Sequence, residues 1–274
     1  ILGSARNVIL TSAGSVDGFD GTEDILGSGF DNMDGMVGTS FNDTLRGAGI
    51  ANTWNITDNN TGNINEKFTF NSVERLIGSS GPGSSDILNF STFSSLRNVT
   101  LTTGGSQDGF AGTEDALANG FDNMNGLVGT TSSDVLKGVD IFNTWFMTAA
   151  NTGNISGLFS FSSIERLIGG TAGDILNFSG YGSTRKVILT NAGIEGWAGT
   201  ENALDAGFDN FNGVVGSGEI DDTLVGISIA NVWNILNKNA GNIGGGFTFN
   251  SIEHLTGGSD SDVIDFSAYG SGRS

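Results

Sequence analysis

The 274-residue chain has no cysteine, one proline and one histidine. Without cysteine there is no disulfide framework and no thiolate metal or redox centre. With His254 alone, a His-rich metal site or a Ser-His-Asp relay has almost nothing to build on. Basic residues are scarce as well: 11 Lys and Arg stand against 30 Asp and Glu, a net charge of −19. Such a surface repels nucleic acid and anionic membranes, whose recognition needs Lys/Arg clusters. No apolar run is long enough to cross a bilayer and no signal peptide opens the chain, so a mature protein or an excerpt is expected. No window sustains a helical period over ten residues; Thr22–Leu26 offers one turn at most.

What the chain does have is glycine, 45 residues of it, and 19 phenylalanines. That aromatic content is too high for a disordered chain. It also has internal repetition. Arg6-Asn7-Val8-Ile9-Leu10-Thr11 returns as Arg97-Asn98-Val99-Thr100-Leu101-Thr102 and as Arg185-Lys186-Val187-Ile188-Leu189-Thr190. The offsets are 91 and 88 residues, and the extra three match the Gly81-Pro82-Gly83 insertion. The repeats run 1–93, 94–181 and 182–269, and residues 270–274 begin a further copy. Ending in phase leads us to expect either an excerpt of a longer array or a subunit that stacks head to tail, since a self-contained array ends on an atypical cap.

Each repeat divides into two related halves. Phe30-Asp31-Asn32-Met33 leads to Met36-Val37-Gly38 and Asp43-Thr44-Leu45; Phe70-Asn71-Ser72-Val73 leads to Leu76-Ile77-Gly78 and Asp86-Ile87-Leu88. Short apolar segments punctuated by Gly, Asn, Asp and Ser read as strands joined by tight turns. Cut before each recurring Phe, the chain gives pieces suited to single coils of a β-solenoid. The expectation is an all-β, right-handed parallel β-helix of about twelve coils, a rod on the order of 60 Å at ~4.8 Å per coil. A β-propeller of six blades is the alternative, since the half-repeat has the length of a blade. In the solenoid, Phe30, Phe70, Phe121, Phe161, Phe208 and Phe249 form an internal ladder, and Trp54, Trp145 and Trp233 mark one wall. Asn52, Asn143 and Asn231 cap their own turns or ladder with one another. Glu74, Glu165 and Glu253 make exposed ladders along one face.

Two features suit a hard cation. The first is the acidic loop with Asp17, Asp20, Glu23 and Asp24, an insertion confined to the first half-repeat. Its counterparts carry Asp108, Glu114 and Asp115, then Glu195 and Glu201. Closely spaced carboxylates on glycine turns are what Ca²⁺ requires; a solvated acidic turn is the other reading. The second is Gly169-Gly170-Thr171-Ala172-Gly173-Asp174-Ile175-Leu176 with Gly257-Gly258-Ser259-Asp260-Ser261-Asp262-Val263-Ile264. These resemble the haemolysin-type (RTX) calcium repeat over about eight residues, but the fourth-position glycine is Ala172 or Asp260 and the motif stands alone in each copy. The other reading makes Asp43, Asp86, Asp134, Asp174, Asp222 and Asp262 turn residues leading into strands.

Across the whole chain, the recurring N-T-W…T-G-N-I…F-x-F-x-S-I-E-x-L-x-G-G…D-x-L resembles the repeats of large bacterial surface adhesins and filamentous-haemagglutinin-like exoproteins. That resemblance implies a secreted β-helix serving as stalk or adhesive, located outside the cell or on its surface, and names no catalytic residues. Acidic clusters and the basic residues Arg75 and Arg166 recur with the repeat, whereas a catalytic site is ordinarily unique, so an enzyme is not expected. The expected partners are further copies of the chain or adjoining repeats. The alternative function is a module binding glycan or protein through the acidic loops.

Overall fold

The computed structural model describes residues 3–81 and 84–270. Pro82 and Gly83 of the insertion, and Ser271–Ser274 of the in-phase close, lie outside the described residues. The described residues form short strands and turns, with no helix among them. They fall into two compact units: Ile1–Asp134 with Leu158–Ser162, and Val135–Gly157 with Ser163–Ser274. In each unit the chain passes back and forth between two sheets, and most passes pair in parallel with the passes beside them. This is a β-solenoid, of about eight turns over the chain.

The core follows from alternation. Successive side chains of a strand point to opposite faces, so one residue in two is buried, as in Val8 and Leu10 of Asn7–Ala13. Stacked passes then align their inward residues in columns. In the first unit Val8, Leu45, Leu76 and Phe121 stand in register. So do Trp54, Leu88, Leu127 and Phe161 of the other sheet. In the second unit the matching column is Trp145, Leu176, Val214 and Phe249. Burying each such side chain contributes roughly 1.5–3 kcal/mol.

The solenoid is not purely parallel. Among the described residues, four passes of each repeat are single strands, and the other two open into antiparallel three-stranded meanders. Asn7–Ala13, Phe19–Thr22 and Phe30–Met33 form one, in the first sheet. Asn52–Asp58, Thr61–Ile64 and Phe68–Asn71 form the next, in the second sheet. The turns that make them carry residues in the left-handed region, where Asn and Gly are tolerated. Asn60, Asn151 and Asn239 have φ of 53, 52 and 56°. The pairs Asn65-Glu66, Ser156-Gly157 and Gly244-Gly245 are positive at both positions, the conformation of a two-residue hairpin turn.

The meanders correct the coil count from twelve to about eight. A meander stacks three strands in one sheet without carrying the chain around the core, so residues counted as a coil of their own add layers instead. The propeller alternative finds no support, because passes alternate between two sheets and pair in parallel instead of closing four-stranded antiparallel blades. The meanders also show how the half-repeats are related: the first half places its meander in one sheet, the second half in the other. Phe30, Phe121 and Phe208 therefore line one sheet and Phe70, Phe161 and Phe249 the other. Their neighbours in register are not phenylalanines: Phe121 stands opposite Leu76, Phe208 opposite Leu167, and Phe70 opposite Met36.

Candidate functional site

The chemistry of this chain is concentrated in two recurring carboxylate arrangements, and both face inward. The first is the aspartate of the Gly…Asp-x-apolar pattern. Asp43, Asp86, Asp134, Asp174 and Asp222 are fully buried, each at the turn that starts a strand. One oxygen closes the aspartate's own turn. It accepts the backbone N–H of Thr39 at Asp43, of Ser79 at 2.8 Å, of Thr130 at 2.5 Å, of Gly170 at 2.7 Å and of Ser217 at 2.5 Å. The other oxygen reaches the neighbouring layer. It takes the N–H of Arg6 at Asp43, of Arg97 at 2.5 Å, of Asn143 at 3.1 Å and of Arg185 at 2.5 Å. Asp43, Asp134, Asp174 and Asp222 thus bracket two stacked passes through backbone groups that would otherwise be buried unpaired.

In the second half-repeat the bracket gains side-chain donors. Asp86 accepts from Asn52 Nδ2 at 2.7 Å and Trp54 Nε1 at 3.1 Å, and Asp174 from Trp145 Nε1 at 3.3 Å. Asn52, Asn143 and Asn231 also cap their own turns, with Nδ2 donating to the carbonyls of Ile50, Ile141 and Ile229 at 2.8, 2.6 and 2.7 Å. Burial raises the pKa of Asp86 and of Asp174 above the ordinary 3.8 and outweighs these donor bonds, which favour the charged form. Asp262, near the end of the described chain, makes the same bracket to Asn231, through its N–H at 3.0 Å and its Nδ2 at 2.6 Å.

The second arrangement is a clasp across each first-half meander. Arg6 Nη1 meets Glu23 Oε1 at 3.2 Å, Arg97 Nε meets Glu114 Oε1 at 3.1 Å and Arg185 Nη2 meets Glu201 Oε1 at 2.5 Å. The second glutamate oxygen accepts the N–H two residues on, from Ile25, Ala116 and Ala203, at 2.9, 2.7 and 2.6 Å. The Arg97 guanidinium lies 4.6 Å from the Phe93 ring centre and that of Arg185 4.1 Å from Tyr181. Burial raises the Glu114 pKa, with the Ala116 N–H and Arg97 opposing it.

The residues expected to hold a cation are thereby divided. Glu23, Glu114 and Glu201 are engaged in clasps, and Asp174 and Asp262 in brackets. Asp17, Asp24, Asp115, Glu195 and Asp260 are exposed, and Asp108 is half-buried. Asp20 lies beside Asp31. Their hydrogen bond raises the Asp20 pKa and, with the Ser15 hydroxyl and N–H, lowers that of Asp31 to about 2. Among the described residues no group of three or more His, Cys, Asp or Glu is placed to hold a metal ion.

Two functional positions escaped the sequence reading. In Phe-Asp-Asn, Asp31 accepts the Ser15 N–H at 3.0 Å and Asn32 the Val16 N–H at 2.7 Å. Asp122 and Asn123 repeat this on Ser106 and Gln107, both at 2.9 Å, so these pairs hold the acidic loop to the sheet. The signal was the unvarying Asp-Asn after each first-half Phe. Glu74 and Glu253 are likewise engaged where exposed ladders were expected. Glu74 accepts the Asp43 N–H at 2.8 Å, and Glu253 accepts the Asp222 N–H at 3.1 Å and Asn239 Nδ2 at 2.6 Å.

Fold and site together define a repeat solenoid whose recurrent polar residues hold its layers together. No family model matches the chain, and no curated protein or solved structure is significantly similar to it. No helix among the described residues is long and apolar enough to cross a membrane.

Proposed function

We propose that the chain is a structural repeat segment of an extracellular bacterial surface or filament-forming protein. In this reading it is a right-handed solenoid that stacks coil on coil and end to end with further copies, and it catalyses no reaction. One observation carries the reading: the recurring aspartate, the group with most chemical potential, is spent on N–H groups of two adjacent passes, backbone donors at Asp43, Asp134, Asp174 and Asp222 and the side chains of Asn52 and Trp54 at Asp86. A group used alike in each half-repeat serves the stack and not a substrate. The right hand follows the general rule for connections between parallel strands of one sheet.

A second reading, a module that binds glycan or protein through the acidic loops, is favoured by the loop tips. Val16 and Ile194 stand exposed beside Asp17 and Glu195. Ca²⁺ enters as a proposal at the same loops, where Asp17, Asp24, Asp115 and Glu195 are exposed and free of the clasps and brackets.

The test is a variant with Asp17, Asp24, Asp115 and Glu195 all neutralised to Asn or Gln, melted with and without a chelator. The structural reading expects each exposed substitution to change stability by no more than about 0.5 kcal/mol. It also expects no loss of binding in a screen of glycans and surface proteins. Lost binding with an intact melt would establish the module instead. A wild-type midpoint that ignores the chelator removes calcium.

A further inference from the structure

Residues that recur in every copy serve the stack. A place where one copy departs from the other two at several neighbouring positions has another cause, and the first-half meander of the third copy is such a place. Where the other copies have Phe19 and Phe110, 2% and 4% exposed, it has Trp197, which is half-buried. Phe19 and Phe110 meet Phe68 and Phe159 edge-on, at 88°, with ring centres 5.9 and 5.7 Å apart. Trp197 lies at 45° to Phe247, with centres 5.5 Å apart. The larger indole is tilted and part of it reaches solvent.

The surroundings of Trp197 change with it. The hairpin turn beside it reads Asn65-Glu66-Lys67 in the first copy and Ser156-Gly157-Leu158 in the second, but Gly244-Gly245-Gly246 in the third. A Cβ at Gly246 would lie 3.6 Å from Trp197 Nε1, so a side chain there would stand against the indole edge. The loop leading to Trp197 is shorter. Seven residues separate Leu189 from Trp197, where eight separate Leu10 from Phe19 and Leu101 from Phe110. It closes with Gly193 N–H on Gly196 C=O at 2.8 Å, whereas the second copy closes Gly105 on Gly109 at 2.9 Å. Asp122 holds the second loop by the Ser106 N–H at 2.9 Å; its counterpart Asp209 takes only the Asn210 N–H, at 2.9 Å. The Asp209 side chain is accordingly 38% exposed, against 8% for Asp122.

We propose that Trp197 is the centre of a binding site for a neutral saccharide. The inference rests on the second reading above, in which the loops bind glycan or protein; it names the ligand class and confines it to one loop. An indole face carries negative potential that attracts the polarised C–H groups of a pyranose ring, and its N–H needs an acceptor. The indole N–H groups of Trp54 and Trp145 find theirs in Asp86 and Asp174. That of Trp197 has none among the described residues, and a sugar hydroxyl supplies one. A Lys or Arg side chain would suit the ring face and the carboxylates of Glu195 and Asp209, but it offers the N–H no acceptor. The same carboxylates, within a net charge of −19, repel uronic and sialic acids and so select neutral sugars. Tryptophan anchors such contacts because it buries a large rigid area at low entropic cost. The stack does not require these departures, since the other two copies close the same meander without them.

The experiment presents an array of neutral oligosaccharides, with sialylated and uronate oligosaccharides and a tetralysine peptide as controls. Any retained probe is titrated against wild type, Trp197→Phe and Gly246→Leu. Both substitutions restore residues that other copies carry, and Gly246 lies outside the left-handed region, so each variant is expected to melt like wild type. Wild type is expected to retain at least one neutral saccharide. Trp197→Phe, which removes the N–H and part of the ring, weakens binding about tenfold, and Gly246→Leu, which covers the ring, does so at least as much. Trp54, Trp145 and Trp233 are buried, so acrylamide quenching of fluorescence reads Trp197, and bound saccharide is expected to reduce it. The inference is overturned if no neutral saccharide is retained, if Trp197→Phe binds as wild type does, or if only tetralysine or acidic sugars are retained. Binding that survives Trp197→Phe but is lost when Asp17, Asp24 and Asp115 are neutralised overturns this site and leaves the second reading standing. A screen in which neither glycan nor protein is retained removes both.

Discussion

At the residue scale the economy of the chain is the buried aspartate. Asp86 receives donors from Ser79, Asn52 and Trp54. Asp86→Ala leaves the Ser79 N–H and Trp54 Nε1 buried and unpaired, and the expected loss is about 3 kcal/mol in a urea titration, against about 1 kcal/mol for Ser79→Ala, which removes one hydroxyl donor. Equal effects would mean that the aspartate only fills space. The same burial gives stability a pH dependence. Asp86, Asp174 and Glu114 keep their protons in the fold at pH values where the unfolded chain, with ordinary values of 3.8 and 4.5, has released them. Their contribution is therefore full below those values and falls as pH rises through the raised ones. Relief of the −19 net charge acts in the same direction. Asp31, held at about 2, contributes above its ordinary value and loses that contribution as pH falls toward 2. The melting midpoint is expected to rise from pH 8 toward about pH 4 and to fall again nearer pH 2. A midpoint that declines steadily from neutral pH would contradict this.

At the scale of the element, the sequence makes the strands legible and hides how they connect. Alternation in Val8-Ile9-Leu10 and Phe68-Thr69-Phe70 identifies strands because burial follows the period of two. The meanders stay hidden because a hairpin turn and a solenoid corner draw on the same residues. Asn, Gly and Ser serve both, and only the φ values separate them. The turns still record their cost. Glu66 sits at φ 59° where the corresponding residues are Gly157 and Gly245. Glu66→Gly is expected to stabilise the fold by roughly 0.5–1 kcal/mol, since the left-handed conformation costs a side chain about that much. A destabilised variant would show that the Glu66 side chain has a role beyond its backbone. The bracket was visible as Asp-x-apolar after glycine, and one of the two readings of that motif made it a turn residue. The clasp was not visible, because Arg6 and Glu23 lie 17 residues apart and meet only when the meander folds.

At the scale of the whole molecule, repetition is what the sequence announces, and the structure gives it a unit: a joint of defined register, made once inside each unit. The account stands or falls on whether the recurring buried aspartates hold stacked passes together. Hydrogen exchange read by mass spectrometry on Asp86→Ala tests this most directly, with residues 144–146 and 175–177, held by Asp174, as internal standards. The account predicts that residues 52–55 and 86–89, the two passes that Asp86 joins, both lose protection in the variant while the standards keep theirs. Unchanged protection at 52–55 and 86–89, or a loss confined to one of the two passes, would contradict it.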